Sequence, residues 1–335
     1  MRAVVTGGAG FLGGAIVQQL IARGDRVHSV SRGQHAHLAE LGVASSQIDL
    51  GDPGAASLLE PVFAGADVVF HCAAKAGVWG TRESYTRANV DGTQAVIDAC
   101  RRAGVTRLVH TSSPSACFDG SDHRNASNDV PLATHFLAPY PESKARAERI
   151  VLAARGPDLA VTILRPHLLF GPGDPHILPR LVARARRRFF RLPIVGDGEN
   201  EVSLTFIDNG AAAHIAAADA LQVGSTNDGR AYFLGQKEHV RLWPWIANLV
   251  AELGLPELKR HVSLRTATRV GAVCESLWKW MSLSGEPPMT RFVAQQLATD
   301  HSYDLTPAEQ DFGYVEQVTL DEATRRSIEW LRNLG

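Results

Sequence analysis

The N-terminal stretch MRAVVTGGAGFLGG, from Met1 to Gly14, decides the fold of this chain. Its apolar residues 3–5 are typical of a buried parallel strand. Three glycines follow at intervals of three residues, and apolar residues then recur at helical spacing, at Ile16, Val17, Leu20 and Ile21. A strand, a glycine turn and a helix start form a cradle for a pyrophosphate, because free N–H groups at the helix N-terminus face the anion.

Each glycine of this turn has its own function in that interpretation. Gly7 permits the sharp turn, Gly10 lets the backbone approach the phosphates, and Gly13 lets the helix press against the sheet. The spacing is G-x-x-G-x-x-G rather than the G-x-G-x-x-G of the ordinary dinucleotide fingerprint. A glycine-rich turn without a ligand is the alternative, but the position between strand and helix favours a dinucleotide site.

Length and composition indicate a globular protein with a sizeable core. The 335 residues are 45% hydrophobic and 21% charged, with a net charge of −1, so charge gives no reason to expect nucleic acid as a partner. The cysteines lack paired or metal-ligand spacing and are predicted to be reduced thiols, with no metal site. Neither a signal peptide nor an apolar run of about 20 residues is present, which predicts a soluble cytoplasmic protein without a transmembrane segment.

Short apolar runs alternate with helical patterns in the first half of the chain. Strands are predicted at residues 2–6, 27–31, 47–48, 68–71, 108–112 and 161–165. Helices are predicted at residues 11–23, 55–63, 85–103 and 140–154. This rhythm predicts an α/β fold, a Rossmann-type doubly wound parallel sheet with its ligand crevice at the carboxyl ends of the strands.

The rhythm changes after about residue 165, where glycine and proline punctuate the loops. Helices are predicted at residues 177–188, 208–221, 243–253 and 264–281. We expect residues 1–170 to form the cofactor-binding domain with the catalytic residues. Residues 171–335 are expected to form mainly a smaller substrate-binding lobe, with segments that return to the sheet.

The end of the second predicted strand bears on the choice of cofactor. An acidic side chain there would bind the ribose hydroxyls of NAD and repel a 2′-phosphate. This chain has Ser31 and Arg32 instead, and an arginine forms charge-assisted bonds with a phosphate. The pair favours NADP, and a solvated surface arginine is the alternative. Asp49 is expected either to meet the adenine amino group or to cap the next helix.

Tyr140 and Lys144 lie four residues apart, on one face of a predicted helix. A phenol with an ordinary pKa of about 10 is a poor acid–base group at neutral pH. A neighbouring lysine cation is expected to stabilise the phenolate and lower that pKa. Ser113, at the end of the fifth predicted strand, offers a hydroxyl to a substrate oxygen, and strand-end hydrogen bonding is its alternative role.

The chain is identified on these motifs as resembling the extended short-chain dehydrogenase/reductases. The likeness rests on TGGAGFLG at 6–13, HCAA at 71–74, NVDGT at 89–93, TSS at 111–113, Tyr140-x-x-x-Lys144, Arg165-Pro166, GPGD at 171–174 and FIDN at 206–209. It implies hydride transfer at an alcohol or ketone carbon. Residues 114–118 depart from the Val-Tyr-Gly-like segment that is usual in the family. The family therefore does not predict the structure of the loop beside the substrate, whereas the implied chemistry is unaffected.

The resemblance also implies roles for individual residues. Tyr140 would be the acid–base group, Lys144 its partner, Ser113 the substrate-orienting hydroxyl and Asn89 part of a proton relay through its helix. The implied contacts to NADP(H) are Gly7, Gly10, Phe11, Leu12, Gly13, Ser31, Arg32, Asp49, Leu50, Ala73, Ala74, Lys75, Tyr140, Lys144, Pro166 and Leu168.

Within the superfamily, the chain resembles the 3β-hydroxysteroid dehydrogenase branch through KAGVWG at 75–80, PPMTR at 287–291 and DFGY at 311–314. The segments 173–181 and 285–292 look like bacterial NADP-dependent reductases of 2-alkyl-3-oxoalkanoates in long-chain olefin biosynthesis. That likeness implies a long-chain 2-alkyl-3-oxo acid substrate and an assembly with a β-lactone synthetase. By analogy, helices 85–103 and 140–154 would build a homodimer interface.

Several alternatives remain open at this point. The rival functions are sterol dehydrogenation or decarboxylation, nucleotide-sugar epimerisation or dehydration, a non-catalytic cofactor sensor, and a structural role within a multienzyme assembly. Trp278, Trp280, Met281 and Leu283 would form either an apolar lid or plain core. The basic run 183–191 would be either a solvated helix face or a site for a carboxylate, an acidic partner or a membrane surface. His167, His176 and His301 are expected to be structural or to face the substrate, since none has metal-ligand spacing.

Overall fold

The computed structural model of the chain describes residues 1–186 and 192–334. Its first half consists of β1 (Arg2–Thr6), α1 (Phe11–Ala22), β2 (Arg26–Ser31), α2 (Ala36–Glu40), β3 (Ala44–Gln47), α3 (Ala55–Phe63), β4 (Val68–His71), α4 (Arg82–Tyr85), a π-helical turn (Thr86–Asp91), α5 (Gly92–Ala103), β5 (Arg107–Thr111), a 3-10 turn (Pro114–Cys117), β6 (His123–Ala126), α6 (Pro139–Ala154) and β7 (Ala160–Pro166).

The second half is built from shorter strands and from helices. It consists of β8 (Leu169–Phe170), α7 (Ile177–Ala185), β9 (Ile194–Val195), β10 (Glu201–Val202), β11 (Thr205–Phe206), α8 (Ile207–Ala220), β12 (Arg230–Leu234), β13 (Val240–Arg241), α9 (Leu242–Glu252), β14 (His261–Val262), α10 (Leu264–Trp280), α11 (Arg291–Gln296), β15 (His301–Tyr303), α12 (Thr306–Phe312) and α13 (Leu320–Asn333).

The central sheet has seven parallel strands in the order β12-β7-β5-β4-β1-β2-β3. The chain proceeds from β1 to β2 and β3 on one side and then returns to β4 on the other. This reversal opens a crevice at the carboxyl ends of β1 and β4. The register brings Thr6 beside His71, and His71 beside His110, at that edge. The predicted doubly wound parallel sheet is therefore confirmed.

Both faces of the sheet are covered because the strands are apolar on both sides. Within β1, Ala3 and Val5 pack into a core with α1 and α8, whereas Val4 packs into a second core with α3, α5 and α6. Each fully buried valine, leucine or phenylalanine contributes about 1.5–3 kcal/mol relative to exposure. The two cores hold the strand ends of the crevice rigidly.

Two predicted elements of the first half differ from the structure by more than one residue at an end. The third strand spans Ala44–Gln47 rather than residues 47–48, because this edge strand is polar and carries no apolar alternation. The predicted helix 85–103 is divided into α4, the π-helical turn and α5. A π-helical turn adds a residue per turn, which apolar periodicity at 3.6 residues does not reveal.

The second half contributes to three smaller sheets as well as to the central one. β12 joins the central sheet beside β7, as expected of a segment that returns to it. A four-stranded sheet, β13-β10-β15-β6, combines β6 of the first half with three later strands. The predicted helix 177–188 ends at Ala185, and residues 187–191 of the basic run lie outside the described part of the chain. The domain boundary at residue 170 stays a prediction.

Candidate active site

The glycine turn after β1 has a geometry that only glycine satisfies. Gly7 has a φ of +72°, and a Cβ there would lie 2.8 Å from the backbone nitrogen of Ala73. A Cβ on Gly13 would overlap the carbonyl of Gly7. Gly10 is the N-cap residue of α1 and offers no side chain to cap it, and no acidic residue occupies the first turn of that helix. The helix N-terminus is therefore available to an anion, as a dinucleotide cradle requires.

A cavity of about 510 Å³ opens beside this turn. Of the residues predicted to bind the cofactor, it is lined by Gly7, Gly10, Ser31, Arg32, Asp49, Leu50, Ala73, Ala74 and Lys75. Phe11, Leu12 and Gly13 lie in the first turn of α1. Pro166 ends β7 beside Leu234, and Leu168 follows it with a φ of +44°, a strained conformation for a leucine. These predicted contacts, with Tyr140 and Lys144, lie outside the cavity lining.

The ribose end of the cavity carries no free carboxylate on β2. The Ser31 hydroxyl donates to the carbonyl of Gly33 (2.9 Å), and Arg32 is exposed at the rim. Asp49 accepts a hydrogen bond from Arg87 (2.9 Å). Asp49 does not cap α3, whose first residue is preceded by Gly54, so that alternative is wrong. Sequence reasoning missed Arg87, because its pairing with Asp49 depends on tertiary structure alone.

Tyr140 and Lys144 are both carried by α6. The Ser113 hydroxyl accepts from the backbone N–H (3.2 Å) and the hydroxyl (3.0 Å) of Ser115 and so caps the 3-10 turn, as its alternative role in strand-end hydrogen bonding predicts. Burial raises the pKa of Tyr140 above its ordinary value, and the hydrogen bond with the Ser113 hydroxyl acts in the opposite direction. Lys144 is buried, its ammonium donates to the carbonyl of Thr111 (2.8 Å), and burial lowers its pKa to about 8. The expected lowering of the Tyr140 pKa by Lys144 is therefore not seen, since this ammonium is directed at Thr111.

The side chain of Asn89, on the π-helical turn, joins the cavity wall to α6. Its Oδ1 accepts from the backbone N–H of Lys75 (2.6 Å), and its Nδ2 donates to the Lys75 carbonyl (3.1 Å) and to the Ser143 hydroxyl (2.9 Å). Ser143 in turn donates to the carbonyl of Tyr140 (2.8 Å). Asn89 thus ties the cavity wall to the helix that carries the predicted acid–base residue.

A continuous hydrogen-bond chain crosses the strand ends beneath the cavity. The Ala73 N–H donates to the Thr6 hydroxyl (3.3 Å), which lies 2.7 Å from Nδ1 of His71. Nε2 of His71 lies 2.9 Å from the Thr93 hydroxyl, and that hydroxyl donates to the Asn89 carbonyl (2.6 Å). Because the Thr93 proton is committed to Asn89, His71 must donate from Nε2 and accept at Nδ1.

Burial and the nearby Lys144 lower the pKa of His71 to about 3, so the ring is neutral at physiological pH. The direction of every bond in this strand-end chain is therefore fixed. The HCAA motif contains His71, but its spacing gave no sign of the partners Thr6 and Thr93.

A buried ion pair lies next to the predicted catalytic residues. Glu148 of α6 is fully buried and accepts from Nε and Nη2 of Arg165 (3.0 and 2.6 Å) and from the Ser112 hydroxyl (2.5 Å). Ser112 precedes Ser113, so this pair fixes the strand end that presents the predicted substrate-orienting hydroxyl. The sequence singled out Arg165 as a family landmark and did not identify Glu148.

The loop after β4 connects the cavity with the second half of the chain. The Tyr85 hydroxyl donates to the carbonyl of Gly77 (2.9 Å), and the Tyr85 ring lies 6.2 Å from the ring of Tyr140. The Val78 N–H donates to Glu286 (3.3 Å), which also pairs with Arg180 (2.6 Å). Glu286 therefore bridges this loop to α7, a contact that no local sequence signal indicates.

The structure also shows how exposed the predicted lid residues and the three singled-out histidines are. Trp280, Met281 and Leu283 are exposed (82%, 52% and 37%), so the interpretation of them as plain core is wrong, whereas Trp278 is half-buried. His167 and His301 are buried with their rings 5.5 Å apart, whereas His176 is exposed. Residues 1–186 and 192–334 contain no group of side chains arranged to hold a metal ion. Over the same ranges, no helix has the length and apolar character needed to cross a bilayer.

Comparisons with known proteins agree with this geometry. Residues 4–265 match the 3-beta hydroxysteroid dehydrogenase/isomerase family. A protein of Stenotrophomonas maltophilia named 2-alkyl-3-oxoalkanoate reductase is 46% identical over 97% of this chain and 98% of its own length. A protein of the same name from Shewanella oneidensis is 41% identical over 97% and 85%. The human sterol-4-alpha-carboxylate 3-dehydrogenase, decarboxylating, is 33% identical over 99% and 89%.

Solved structures show the same fold with a nucleotide cofactor. MoeE5 in complex with UDP-glucose and NAD is 28% identical, with a TM-score of 0.74 over 100% of this chain and 99% of its own. The dTDP-glucose 4,6-dehydratase DesIV from Streptomyces venezuelae, with NAD and TYD bound, is 26% identical, with a TM-score of 0.76 over 99% and 97%. The chain belongs to the 3-beta hydroxysteroid dehydrogenase/isomerase family and is an oxidoreductase that uses a nicotinamide dinucleotide.

Proposed function

We propose that this protein is an NADP-dependent reductase that converts a long-chain 2-alkyl-3-oxoalkanoate to the 2-alkyl-3-hydroxyalkanoate. The observation that carries the reaction type is the placement of Lys144, one turn after Tyr140 on α6, at the carboxyl end of β5. There its ammonium donates to the Thr111 carbonyl (2.8 Å), two residues before Ser113. The substrate class is supported by the two relatives of that name, which match nearly the whole chain at 46% and 41% identity.

The residues around the cavity fit a dinucleotide. The turn at Gly7 and Gly10 would hold the pyrophosphate, with no side chain to block the approach. Ser31 and Arg32 would hold the 2′-phosphate of NADP, since β2 ends without a carboxylate. When bound, the cofactor supplies the hydride.

The proton chemistry is assigned to Tyr140, with Ser113 holding the substrate oxygen. Burial raises the pKa of Tyr140, so its phenol keeps the proton at neutral pH. A protonated phenol is the form that donates to a ketone oxygen as it becomes a hydroxyl. Lys144, whose pKa is lowered by burial to about 8, donates to the Thr111 carbonyl (2.8 Å) and would hold the strand end that leads to Ser113.

The finer features of the proposal come from the motif resemblance described under the sequence and from analogy. The product would enter long-chain olefin biosynthesis, in an assembly with a β-lactone synthetase, and α5 and α6 would form a homodimer interface. A sterol-4-carboxylate dehydrogenase is the second candidate, because the human enzyme of that name is 33% identical over 99% of this chain.

The test is a spectrophotometric assay of NADPH oxidation with a 2-alkyl-3-oxo acid, and of NADP reduction with the 2-alkyl-3-hydroxy acid. NADH, a 3β-hydroxysteroid and a UDP-sugar run in parallel. Tyr140→Phe is expected to lower kcat by about 10²–10⁴-fold, because the proton donor is lost. The matched control is Tyr314→Phe, a buried phenol of the second half that donates to the Gly235 carbonyl (2.7 Å).

Turnover of the hydroxy acid that Tyr140→Phe abolishes and Tyr314→Phe preserves would support the proposal. Turnover of the steroid alone would favour the second candidate and leave the site intact. Cofactor binding without turnover of any of these substrates would overturn the catalytic assignment.

A further inference from the structure

Helix α10 exposes a row of large apolar side chains along one side. Val273 is 66% exposed, Trp280 is 82% exposed, and the row consists of Val270, Val273, Leu277, Trp280 and Met281. Their spacing of three or four residues places them on one face of the helix. A groove beside Val273 and Leu277 adds to this surface, which we term the α10 stripe. Contiguous apolar patches of this kind mark interaction sites.

The opposite face of α10 packs against the rest of the chain, so the α10 stripe is not the face that contacts the protein core. A Cβ on Gly271 would lie 2.6 Å from the carbonyl carbon of Thr290, which shows how closely the helix lies on the start of α11. The buried Glu275 accepts from the backbone N–H of Arg291 (2.7 Å) and from its guanidinium (2.9 Å). These contacts fix the orientation of the helix with the stripe outward.

The charges that α10 exposes are all positive. Arg265, Arg269 and Lys279 are exposed, whereas Glu275, the acidic residue of this fully described helix, is buried in its pair with Arg291. An apolar face bordered by cations is the signature of a helix that lies in the plane of an anionic lipid surface. A two-fold contact between copies along the stripe would instead bring cations opposite cations.

The stripe ends close to the candidate active site. The Lys279 ammonium lies 6.0 Å from the centre of the Trp79 ring. Trp79 belongs to the loop whose carbonyls accept from the Tyr85 hydroxyl, and the Tyr85 ring packs against Tyr140. An amphiphile at the lipid surface would therefore lie near the loop that borders the site.

We propose that the α10 stripe docks this protein on an anionic lipid surface, with Trp280 and its apolar neighbours inserted among the acyl chains and Arg265 and Arg269 against the headgroups. Delivery of a long-chain acid from that surface to the site rests on the proposed function. The docking itself rests only on the exposed side chains of α10 and their charges.

The test is co-sedimentation of the full chain with vesicles of phosphatidylcholine alone or mixed with phosphatidylglycerol, without substrate. The wild-type protein is expected to bind the mixed vesicles and to dissociate as salt increases. The variant Val273→Asn/Leu277→Gln/Trp280→Gln is expected to lose this binding. Its matched control, Val223→Asn/Leu58→Gln/Val315→Asn, alters exposed apolar residues elsewhere and should bind as the wild type does.

A second variant separates charge from apolar contact. Arg265→Gln/Arg269→Gln keeps the stripe and should weaken binding to the mixed vesicles by roughly thirtyfold, from about 1 kcal/mol for each cation near the surface. Equal binding to both kinds of vesicle, or no binding by the wild type, would overturn the proposal.

A third outcome would also overturn the proposal. If the stripe variant converts a dimer to a monomer while vesicle binding is unchanged, the occupant of the stripe is a second copy. Activity toward a short, water-soluble 2-alkyl-3-oxo acid, measured in parallel, tests the proposed function separately. A protein that binds vesicles but lacks this activity would retain the docking surface and lose the proposed reaction.

Discussion

Two regions beside the same site are built in opposite ways. The strand-end chain through Thr6, His71 and Thr93 is buried, polar and fixed in direction at every bond. The α10 stripe is exposed, apolar and free of directional contacts. The first region lies beneath the cavity of the predicted cofactor, whose polar groups need a wall with fixed donors and acceptors. The second suits a ligand recognised by its apolar character alone.

The energetic consequence of this difference is large. A buried polar group that loses its partner costs about 1–3 kcal/mol, and more when it is charged. An exposed apolar side chain, in contrast, changes stability little when it is replaced. Substitutions and pH should therefore act on the buried polar region and leave the stripe unaffected.

The largest effect is expected from breaking the ion pair between Glu148 and Arg165. Glu148→Gln leaves the Arg165 guanidinium buried with no compensating charge and turns an acceptor of its hydrogen bonds into a donor. The free energy of unfolding should fall by about 3–5 kcal/mol, measured by urea denaturation.

The same substitution on the surface is the control. Glu329 pairs with Arg325 on α13, where both side chains are more than half exposed. Glu329→Gln should leave the urea midpoint unchanged within error, because exposed pairs are solvated and screened. Equal effects of the two substitutions would show that the Glu148 pair is accessible to water.

Acid should also destabilise the buried polar region. Burial lowers the pKa of His71 and His301 to about 3 and that of His214 to about 4. Below pH 6.5 the histidines of the unfolded chain bind protons, whereas the buried native rings stay neutral. The free energy of unfolding therefore falls as the pH falls. Each ring should cost about 1 kcal/mol between pH 6.5 and about pH 5.5, which is about 3 kcal/mol for the three.

This prediction is measured by urea denaturation at a series of pH values. Stability should continue to decrease with falling pH until the native pKa values are reached. A free energy of unfolding that stays constant from pH 6.5 to about pH 5.5 would mean that these rings take up protons in the native state. That result would contradict the neutral state of His71, on which the bond directions of the strand-end chain depend.

The comparison of the two regions also separates what sequence could and could not predict. The glycine turn, β1, α3 and β4 were predicted within the bounds observed, because apolar runs, helical spacing and glycine chemistry are local. The catalytic assignment of Tyr140, Lys144 and Ser113 comes from motif and family resemblance and stays a prediction. Each of these signals spans only a few residues of the chain.

The partners of those residues could not be predicted in the same way. Arg87, Glu148 and Glu286 each act through contacts with distant segments, and any exposed helix has similar residues. The exposure of Trp280 was likewise hidden, because a row of apolar residues at helical spacing ordinarily faces a core. The partners of the site residues and the exposure of Trp280 both depend on how distant segments pack in the folded chain.

The smallest effect is expected at Thr93, where a single hydroxyl links His71 to Asn89. Thr93→Val keeps the shape, leaves the Nε2–H of His71 without an acceptor and frees the Asn89 carbonyl. Unfolding should become easier by about 1–3 kcal/mol. Because Asn89 also holds the Lys75 backbone in the cavity wall, KM for NADPH should rise about tenfold, an effect of about 1.4 kcal/mol on binding, while kcat changes less.

Thr93→Ser is the matched control, since it removes the methyl group and retains the hydroxyl. It should preserve KM for NADPH even where stability falls slightly through lost packing. If the serine variant raises KM as much as the valine variant does, losing the methyl group disturbs the cavity wall as much as losing the hydroxyl, and the direction of the hydrogen bonds has no special effect on Asn89. If only the valine variant does so, the direction of the hydrogen bonds through His71 shapes the cavity wall, as the contrast with the undirected α10 stripe requires.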